Sequence, residues 1–361
     1  MRKYLLRNVY NKVSSRKLKV LAIRTLDSLN IPIYRIGLDT NNICNLKCIM
    51  CYMSLPDYKQ KREIMPLRLF ETIAKQIFKK VTLLDMSCGF EPFMTKRFID
   101  YVRIARKYCK GYIGACTNGL LLDEAKVNSI VSEGLLDEIN ISCDGLTETT
   151  YNSIRVDGNF STLLPVFDLI NKNKQELKVS KPVVRMNYTM MKRNIEELEH
   201  AFDFVKRYNI DILQLRHVRF TKPFSALFNE SLFYHQKLSD TVINKTINDF
   251  KKDRSRQLIH PPLFTSSTNA VASKSACAYP WFNFTISSDG TVKMCNIGSI
   301  GNCNEQSFQE ILQSEQVRNI YWNLMKGKNE KLCENCITIS DMGSVEERTT
   351  FIREDLQPDR L

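Results

Sequence analysis

No stretch of this chain comes near the roughly eighteen uninterrupted apolar residues that a membrane-spanning helix needs, and its first residues are charged, so neither a spanning helix nor a cleavable signal peptide is indicated. A reducing, cytoplasmic setting is therefore expected. There the twelve cysteines read as metal ligands, small buried hydrophobes or reactive thiols, because stable disulfides are uncommon in that compartment. Tandem repeats of fixed period and low-complexity tracts are absent, which sets aside repeat architectures. Nor does a recognisable nucleic-acid-binding module accompany the net charge of +13, so nucleic acid is not an expected partner. What the 361 residues do contain is 43% hydrophobic side chains, ample for the core of one large domain or two of ordinary size.

The positive charge is concentrated at one end. Residues 1–30 carry Arg2, Lys3, Arg7, Lys12, Arg16, Lys17, Lys19 and Arg24 against the single carboxylate of Asp27. Leu5, Val9 and Val13 are spaced four apart with Leu6 and Tyr10 beside them, so a helix here would be apolar on one face and basic on the other. Such a helix suits an acidic partner or the anionic inner face of a membrane, as a peripheral contact; equally, it suits packing on the body of the protein with its charges in solvent. Residues 1–33 are accordingly read as a basic, amphipathic helical extension.

A fourth ligand is missing where one would be looked for. Cys44-Asn45-Leu46-Lys47-Cys48-Ile49-Met50-Cys51 places three thiols within eight residues, directly after the strand-like run Tyr34 to Thr40, with no further cysteine or histidine nearby. Cluster ligation normally takes four cysteines, so three thiolates leave one iron of a cubane open to a small molecule. A structural zinc site would instead complete its four ligands from the protein. The C-x3-C-x2-C spacing resembles that of the radical S-adenosylmethionine (SAM) superfamily, and the resemblance extends over nearly the whole chain from about Tyr34 onward.

Downstream, helical and strand-like spacing alternate. A helix headed by Pro66 runs to Phe78, followed by a strand at Val81 to Met86, then a helix near Lys96 to Cys109 and a strand at Tyr112 to Thr117. Next come a helix at Asp123 to Glu133, a strand at Glu138 to Cys143, a helix near Ser161 to Lys172, a strand at Pro182 to Thr189, a helix at Ile195 to Tyr208 and a strand at Asp211 to Val218. Six β units with helices between them are the pattern of a parallel sheet with right-handed crossovers, in an open sheet or a barrel alike. The resemblance implies an α/β fold built as a six-stranded parallel partial (β/α)6 TIM-like barrel over residues 34–220, with cofactor and substrate at the carboxyl ends of the strands. Residues 221–275, polar and basic around His260-Pro261-Pro262, read as a bridging segment, and residues 276–361 as a small C-terminal α+β iron–sulfur domain.

The same resemblance implies a SAM site. Ser87-Cys88-Gly89-Phe90-Glu91-Pro92 is similar to the family's GGEP stretch, with Phe90 in place of its second glycine; Gly89 would offer backbone groups to the SAM amino group and Glu91 charge and support. Thr117-Asn118-Gly119 is a common family ending of the third strand. Ser142-Cys143-Asp144-Gly145 is similar to S-x-D-G, with Ser142 and Asp144 placed for ribose hydroxyls, which both donate and accept. Arg155 stands where related enzymes carry an arginine toward the SAM carboxylate, which a guanidinium grips bidentately. Taken singly, each has a plainer reading as a turn glycine or a solvated arginine. Arg185, Asn187 and Tyr188 on the fifth strand, and Gln214, Arg216 and His217 on the sixth, are candidates to face substrate, with strand alternation turning half of such a set away.

A second group of thiols follows. Cys277 precedes Tyr279-Pro280-Trp281 and a strand pair, Asn283 to Ser287 and Thr291 to Met294, turned by Asp289-Gly290; Cys295 closes that hairpin, and a helix near Ser307 to Met325 leads to Cys333-Glu334-Asn335-Cys336. This resembles the twitch domain, the shortened form of the SPASM domain, and implies an auxiliary 4Fe-4S cluster on Cys277, Cys295, Cys333 and Cys336; no cysteine follows Cys336, as a complete SPASM domain would need. Four thiolates also suit tetrahedral zinc. Cys303 is left over as a spare ligand, a hydrogen-donating thiol or a small apolar residue.

Together the resemblances imply an enzyme that takes an electron from a flavodoxin or ferredoxin-type reductant and cleaves SAM to a 5′-deoxyadenosyl radical, which then abstracts hydrogen from a substrate carbon. The cysteine pattern is closest to twitch enzymes that oxidise or epimerise a secondary alcohol carbon of a small sugar or aminocyclitol. Epimerisation would require a thiol to return hydrogen, and Cys88, Cys143 and Cys303 are the candidates. Peptide maturation, by crosslinking or epimerising a precursor, is the alternative within the family; a non-catalytic iron–sulfur or zinc-binding protein is the alternative outside it.

Overall fold

The structure, a computed structural model, describes residues 15–87, 89–218, 227, 229–265, 277–295 and 297–328. In chain order it contains α1 (Arg16–Ser28), β1 (Tyr34–Leu38), α2 (Leu67–Ile77), β2 (Val81–Asp85), α3 (Phe98–Tyr108), β3 (Tyr112–Thr117), α4 (Glu124–Ser132), β4 (Glu138–Ser142), α5 (Glu148–Ile154) and α6 (Phe160–Glu176). There follow β5 (Val183–Met190), α7 (Ala201–Arg207), β6 (Ile212–His217), α8 (Gln236–Lys252), β7 (Gln257–Ile259), β8 (Asn283–Ile286), β9 (Thr291–Met294), β10 (Gly298–Asn302), α9 (Phe308–Gln313) and α10 (Glu315–Met325). This is the expected α/β class with mostly parallel strands. No helix among the described residues is long and apolar enough to cross a membrane.

Local chemistry accounts for the helix starts. Pro66 stands at the N-terminal cap of α2, which buries Phe70, Ile73, Ala74 and Ile77 at the spacing of one helical face. Asp123 caps α4 by accepting from Lys126 N at 2.9 Å, and Asn159 caps α6 by accepting from Thr162 N at 2.9 Å. Two predicted helices are interrupted. The stretch from Ile195 opens as a 3-10 helix, Ile195–His200, before α7. The one expected over Ser307 to Met325 breaks at Ser314, which has extended backbone and serves as the cap of both α9 and α10. α9 begins with a reciprocal capping box between Ser307 and Glu310.

The described residues form two compact units. The first is drawn from Met1–Ile43, Arg62–Cys116 and Ala270–Gly343. Its strands lie in the order β10-β9-β8-β1-β2-β3, with β8, β1, β2 and β3 parallel and the β8-β9-β10 pairs antiparallel. The C-terminal hairpin thus continues a sheet whose other strands come from the start of the chain, through the pairing of Ile36 with Phe284. Tyr34, Phe284 and Phe308 meet edge to face, with ring centroids 5.4–6.3 Å apart.

The second unit is drawn from Cys44–Lys61 and Thr117–Asn269 and has the parallel order β4-β5-β6-β7. β7 was not expected; it lies in the stretch read as a bridging segment, which also contains α8. The two faces of β4–β6 differ sharply. Ile139, Ile141, Val184, Met186, Tyr188, Leu213 and Leu215 are all at most 2% exposed. The alternate positions are polar: Glu138, Asn140 and Ser142 on β4, Arg185 and Asn187 on β5, Gln214 and Arg216 on β6, with Ser142 in register with Asn187 and Asn187 with Gln214.

The helix expected within residues 1–33 is described from Arg16 onward, as α1. The apolar residues Leu5, Val9 and Val13 lie outside the described residues. In α1 itself the buried side chains are Arg16, Lys19 and Val20, whereas Leu18 and Leu21 are 60% and 62% exposed. Asp27 fixes the other end of the helix through an ion pair with Lys80 at 2.9 Å.

Candidate active site

The segment between β1 and the first cysteine is hydrogen-bonded within the first unit. Asn41 Nδ2 donates to the Glu91 carbonyl at 3.0 Å and to Thr95 Oγ1 at 2.8 Å, while its Oδ1 accepts from Ile43 N at 2.8 Å. Glu91 N donates to the Ile43 carbonyl at 3.0 Å, and Gly89 N to Asp39 Oδ1 at 3.3 Å. The stretch expected to resemble GGEP is therefore bonded to the residues that lead into Cys44. Glu91, 2% exposed, accepts from Phe93 N at 3.2 Å, which gives its carboxylate a supporting role. Cys88 lies outside the described residues.

The cysteine loop belongs to the second unit. Cys51 N and Ser54 Oγ both donate to the Cys48 carbonyl, at 3.0 and 2.9 Å, and Leu46 N donates to Cys44 Sγ at 3.4 Å. Lys47 N donates to the Val156 carbonyl at 2.9 Å and Ile49 N to the Ile154 carbonyl at 3.0 Å, so the loop is strapped to the end of α5. Ile49, Met50 and Leu55 pack on Ile154, Met191 and Val218. The residues between the cysteines thus seat the loop by their backbone and their apolar side chains.

Arg155, between those two straps, is 8% exposed. Its Nη2 pairs with Asp144 Oδ2 at 2.7 Å, and its Nη1 lies 3.9 Å from Cys48 Sγ. Burial opposes its charge, but Asp144 and Cys48 hold its pKa above the ordinary value. Asp144, fully buried, also accepts from Thr189 N at 2.6 Å. Asn194 Nδ2 donates to the carbonyls of Asp144 and Thr189 at 2.9 Å each. Burial raises the Cys48 thiol to about 11, with Arg155 pulling it back. On the far side of the loop Asn118 Nδ2 donates to Asn45 Oδ1 at 2.8 Å, and Thr117 Oγ1 accepts from Gly119 N at 3.0 Å. Of the residues expected at SAM, Asn118, Asp144 and Arg155 are thus gathered at the cysteine loop; Thr117 and Ser142 stand at the neighbouring strand ends.

The donor set suits an iron–sulfur cluster, because three thiolates hold three corners of a cubane and leave the fourth open. An N–H donor on Cys44 and a buried guanidinium beside Cys48 are the means by which proteins stabilise sulfur-bound iron.

The substrate candidates separate. Arg185 donates to Gln214 Oε1 and Glu138 Oε2, both at 2.7 Å, so its guanidinium is part of a buried network across β4–β6. Asn187 and Gln214 share the polar face; Arg216 is exposed. Tyr188 belongs to the opposite, apolar face and donates to the Asn194 carbonyl at 2.7 Å. The His217 ring packs on Phe264 with centroids 5.0 Å apart. Glu138 and Asn194 escaped the sequence reading; the alternation of polar residues on β4 is the signal that points to Glu138.

In the first unit, Cys295 ends β9 in the left-handed backbone region, φ 50°. Gly290, φ 83°, turns the preceding hairpin as expected, and Asn302 and Asn304 donate to the Asp289 carbonyl behind it. The Cys277 carbonyl accepts from Arg16 Nε at 2.8 Å. Cys303, 8% exposed, has its thiol pushed up to about 11 by burial. Cys143, in the second unit, is fully buried, donates to the Gly145 carbonyl at 3.1 Å and is pushed up to about 12, chiefly by burial. Cys333 and Cys336 lie outside the described residues.

Comparison with known proteins agrees with this arrangement. A "Probable GTP 3′,8-cyclase" of Thermoplasma volcanium is 23% identical over 309 residues, covering 81% of this chain and 90% of that protein. Another, of Metallosphaera sedula, is 25% identical over 193 residues, covering 53% of this chain and only 57% of that protein. A solved structure described as "Native anSMEcpe with bound AdoMet and Cp18Cys peptide" shares the fold, with a TM-score of 0.64 at 18% identity over 91% of this chain and 98% of the other. Residues 277–337 match the model of an iron-sulfur cluster-binding domain, SPASM, and residues 38–205 match that of the radical SAM superfamily. The chain thus carries a radical SAM domain and a C-terminal SPASM domain, and its cofactors are SAM and 4Fe-4S clusters.

Proposed function

We propose that this enzyme removes a hydrogen atom from a carbon of a polar, hydroxyl-bearing ring, a sugar, an aminocyclitol or the ribose of a nucleotide, and that the carbon leaves oxidised, epimerised or newly bonded. The observation that supports this most is the polar face of β4–β6, on which Ser142, Asn187 and Gln214 stand side by side. Amides and hydroxyls both donate and accept, as ring hydroxyls require. The GTP cyclase names of the sequence relatives point to a ribose-bearing substrate in the same class.

Held at Cys44, Cys48 and Cys51, a 4Fe-4S cluster supplies the electron, taken from a flavodoxin or ferredoxin-type donor, for reductive cleavage of SAM to methionine and a 5′-deoxyadenosyl radical. Arg155 keeps positive charge beside Cys48, and Asp144 fixes its orientation. Asn118 positions the loop through Asn45. Ser142 and Thr117 offer hydroxyls to the SAM ribose, and Gly89 and Glu91 serve its amino end. For epimerisation Cys143 must break its bond to the Gly145 carbonyl before it can donate hydrogen; Cys88 and Cys303 are the other proposed donors. Cys277, Cys295, Cys333 and Cys336 hold the auxiliary cluster, the electron acceptor when the product is oxidised.

The test is anaerobic incubation of reconstituted protein with SAM, dithionite and panels of deuterated sugars, aminocyclitols, nucleotides and peptides. Deuterium appearing in 5′-deoxyadenosine from a hydroxylated ring supports the proposal. Transfer from peptides alone would replace it with peptide maturation, and absence of SAM cleavage would reject the reaction class.

A further inference from the structure

α1 carries an apolar stripe that faces outward. Leu18 and Leu21 are 60% and 62% exposed, and Leu29, which caps the helix, is 64% exposed. With Ala22 and Thr25, exposed as well, they recur at intervals of three and four residues and so share one helical face. Single exposed leucines are ordinary; three aligned on one helix mark a surface that meets something. Lys17 and Arg24 stand seven positions apart, two turns, and therefore lie along one flank of that stripe. Both are exposed, and neither forms an ion pair among the described residues. The one carboxylate of α1, Asp27, is half a turn round from Leu18 and is taken by Lys80 at 2.9 Å.

α10 extends the same chemistry. Arg16 Nη1 donates to the Leu324 carbonyl, so within the first unit the start of α1 adjoins the end of α10. There Trp322 is 61% exposed, with Lys326 Nζ 4.2 Å from its ring centroid and Arg318, also exposed, one turn before it. Leucines on one face, cations along the flank and a tryptophan between cations match the layers of an anionic bilayer surface: acyl chains take the leucines, phosphates take the cations, and indole rings settle at the boundary. An acidic protein would have to offer an apolar centre and a carboxylate rim in register with α1, whereas a bilayer of anionic lipid offers both everywhere on its surface.

We propose that the outward face of α1, with Trp322 and its flanking cations on α10, is a peripheral docking surface for anionic phospholipid. The contact holds the enzyme at a membrane through residues that take no part in SAM cleavage.

The test is co-sedimentation of full-length, anaerobically reconstituted protein with vesicles of phosphatidylglycerol and phosphatidylcholine in equal parts, or of phosphatidylcholine alone, at roughly 0.15 M salt. Binding to the anionic vesicles should exceed binding to the neutral ones at least about tenfold and should weaken as salt is raised. K17Q/R24Q should lower the anionic partition about tenfold to thirtyfold, and L18S/L21S about tenfold or more. K237Q/K251Q, which removes the same charge from exposed positions of α8, should bind as wild type does. All three variants should cleave SAM at the wild-type rate, so that loss of lipid binding is read apart from loss of fold or of catalysis. Wild-type protein that ignores anionic vesicles, L18S/L21S that binds them fully, or K237Q/K251Q that loses as much as K17Q/R24Q would each overturn the proposal. Concentration-dependent dimerisation in analytical ultracentrifugation, abolished by L18S/L21S and accompanied by no vesicle binding, would overturn it in favour of a second copy of the chain.

Discussion

Cys48 and Cys277 both have an arginine beside them, but the two arginines are held in opposite ways. At Cys48 the guanidinium of Arg155 is neutralised by Asp144, and that pair is fastened in turn by Thr189 N and Asn194. At Cys277 the guanidinium of Arg16 is bonded to two backbone carbonyls, and a second buried cation, Lys19, stands one turn away. The arginine at the cysteine loop is therefore held by an ion pair, and the one at Cys277 by backbone carbonyls. A balanced pair gives geometry: it orients a group that must also meet a ligand. Bonds to two carbonyls instead fix the backbone at Cys277 and at Leu324.

The strongest way to break the comparison is to remove the thiols. Replacing Cys44, Cys48 and Cys51 with alanine should reduce formation of 5′-deoxyadenosine by at least about a thousandfold, to background. Cleavage retained by that variant, measured by chromatography of the nucleoside product, would sink the site. Asp144→Ala comes next, because it strands a buried guanidinium. The expected loss is about 3–5 kcal/mol of unfolding free energy in a urea titration. A loss below about 1 kcal/mol would show that Arg155 is solvated, and the balanced-pair description would fail.

Much of this was readable beforehand, and the remainder has a common cause. The six strand positions and the hairpin at Asp289-Gly290 follow from alternation and turn chemistry, which are local; the cysteine spacing is local too. What escaped depends on residues far apart in the chain. β7 is three residues long, too short for a periodic signal, and exists because Leu258 meets Leu213. Tyr188 looked like a substrate contact until the register of β5 turned it to the apolar face. Glu138 and Arg185, separated by more than forty positions, pair only because β4 and β5 are adjacent. The burial of Arg16, whose Nε donates to the carbonyl of Cys277 261 positions away, likewise shows only in the fold.

The smallest expected effects sharpen the comparison, because each of two glycines serves one of the thiol sites. Gly119 and Gly290 both have φ of 83°. A methyl group at Gly119 would come within 2.7 Å of Leu163 Cδ1; at Gly290 it would meet Asn304 Nδ2 at 2.7 Å and Asn302 Oδ1 at 2.8 Å. Either alanine should cost about 1–2 kcal/mol in unfolding free energy, since an L-residue in the left-handed region is strained by that amount. Their consequences should diverge. Gly119→Ala displaces the Asn118 turn that holds Asn45, so its defect should be in SAM cleavage. Gly290→Ala disturbs the asparagine brackets behind the hairpin that ends at Cys295, so its defect should be in auxiliary-cluster iron, read in the C44A/C48A/C51A background. If Gly290→Ala lowered SAM cleavage as much as Gly119→Ala while keeping its iron, the division of labour between the two thiol sites would be wrong.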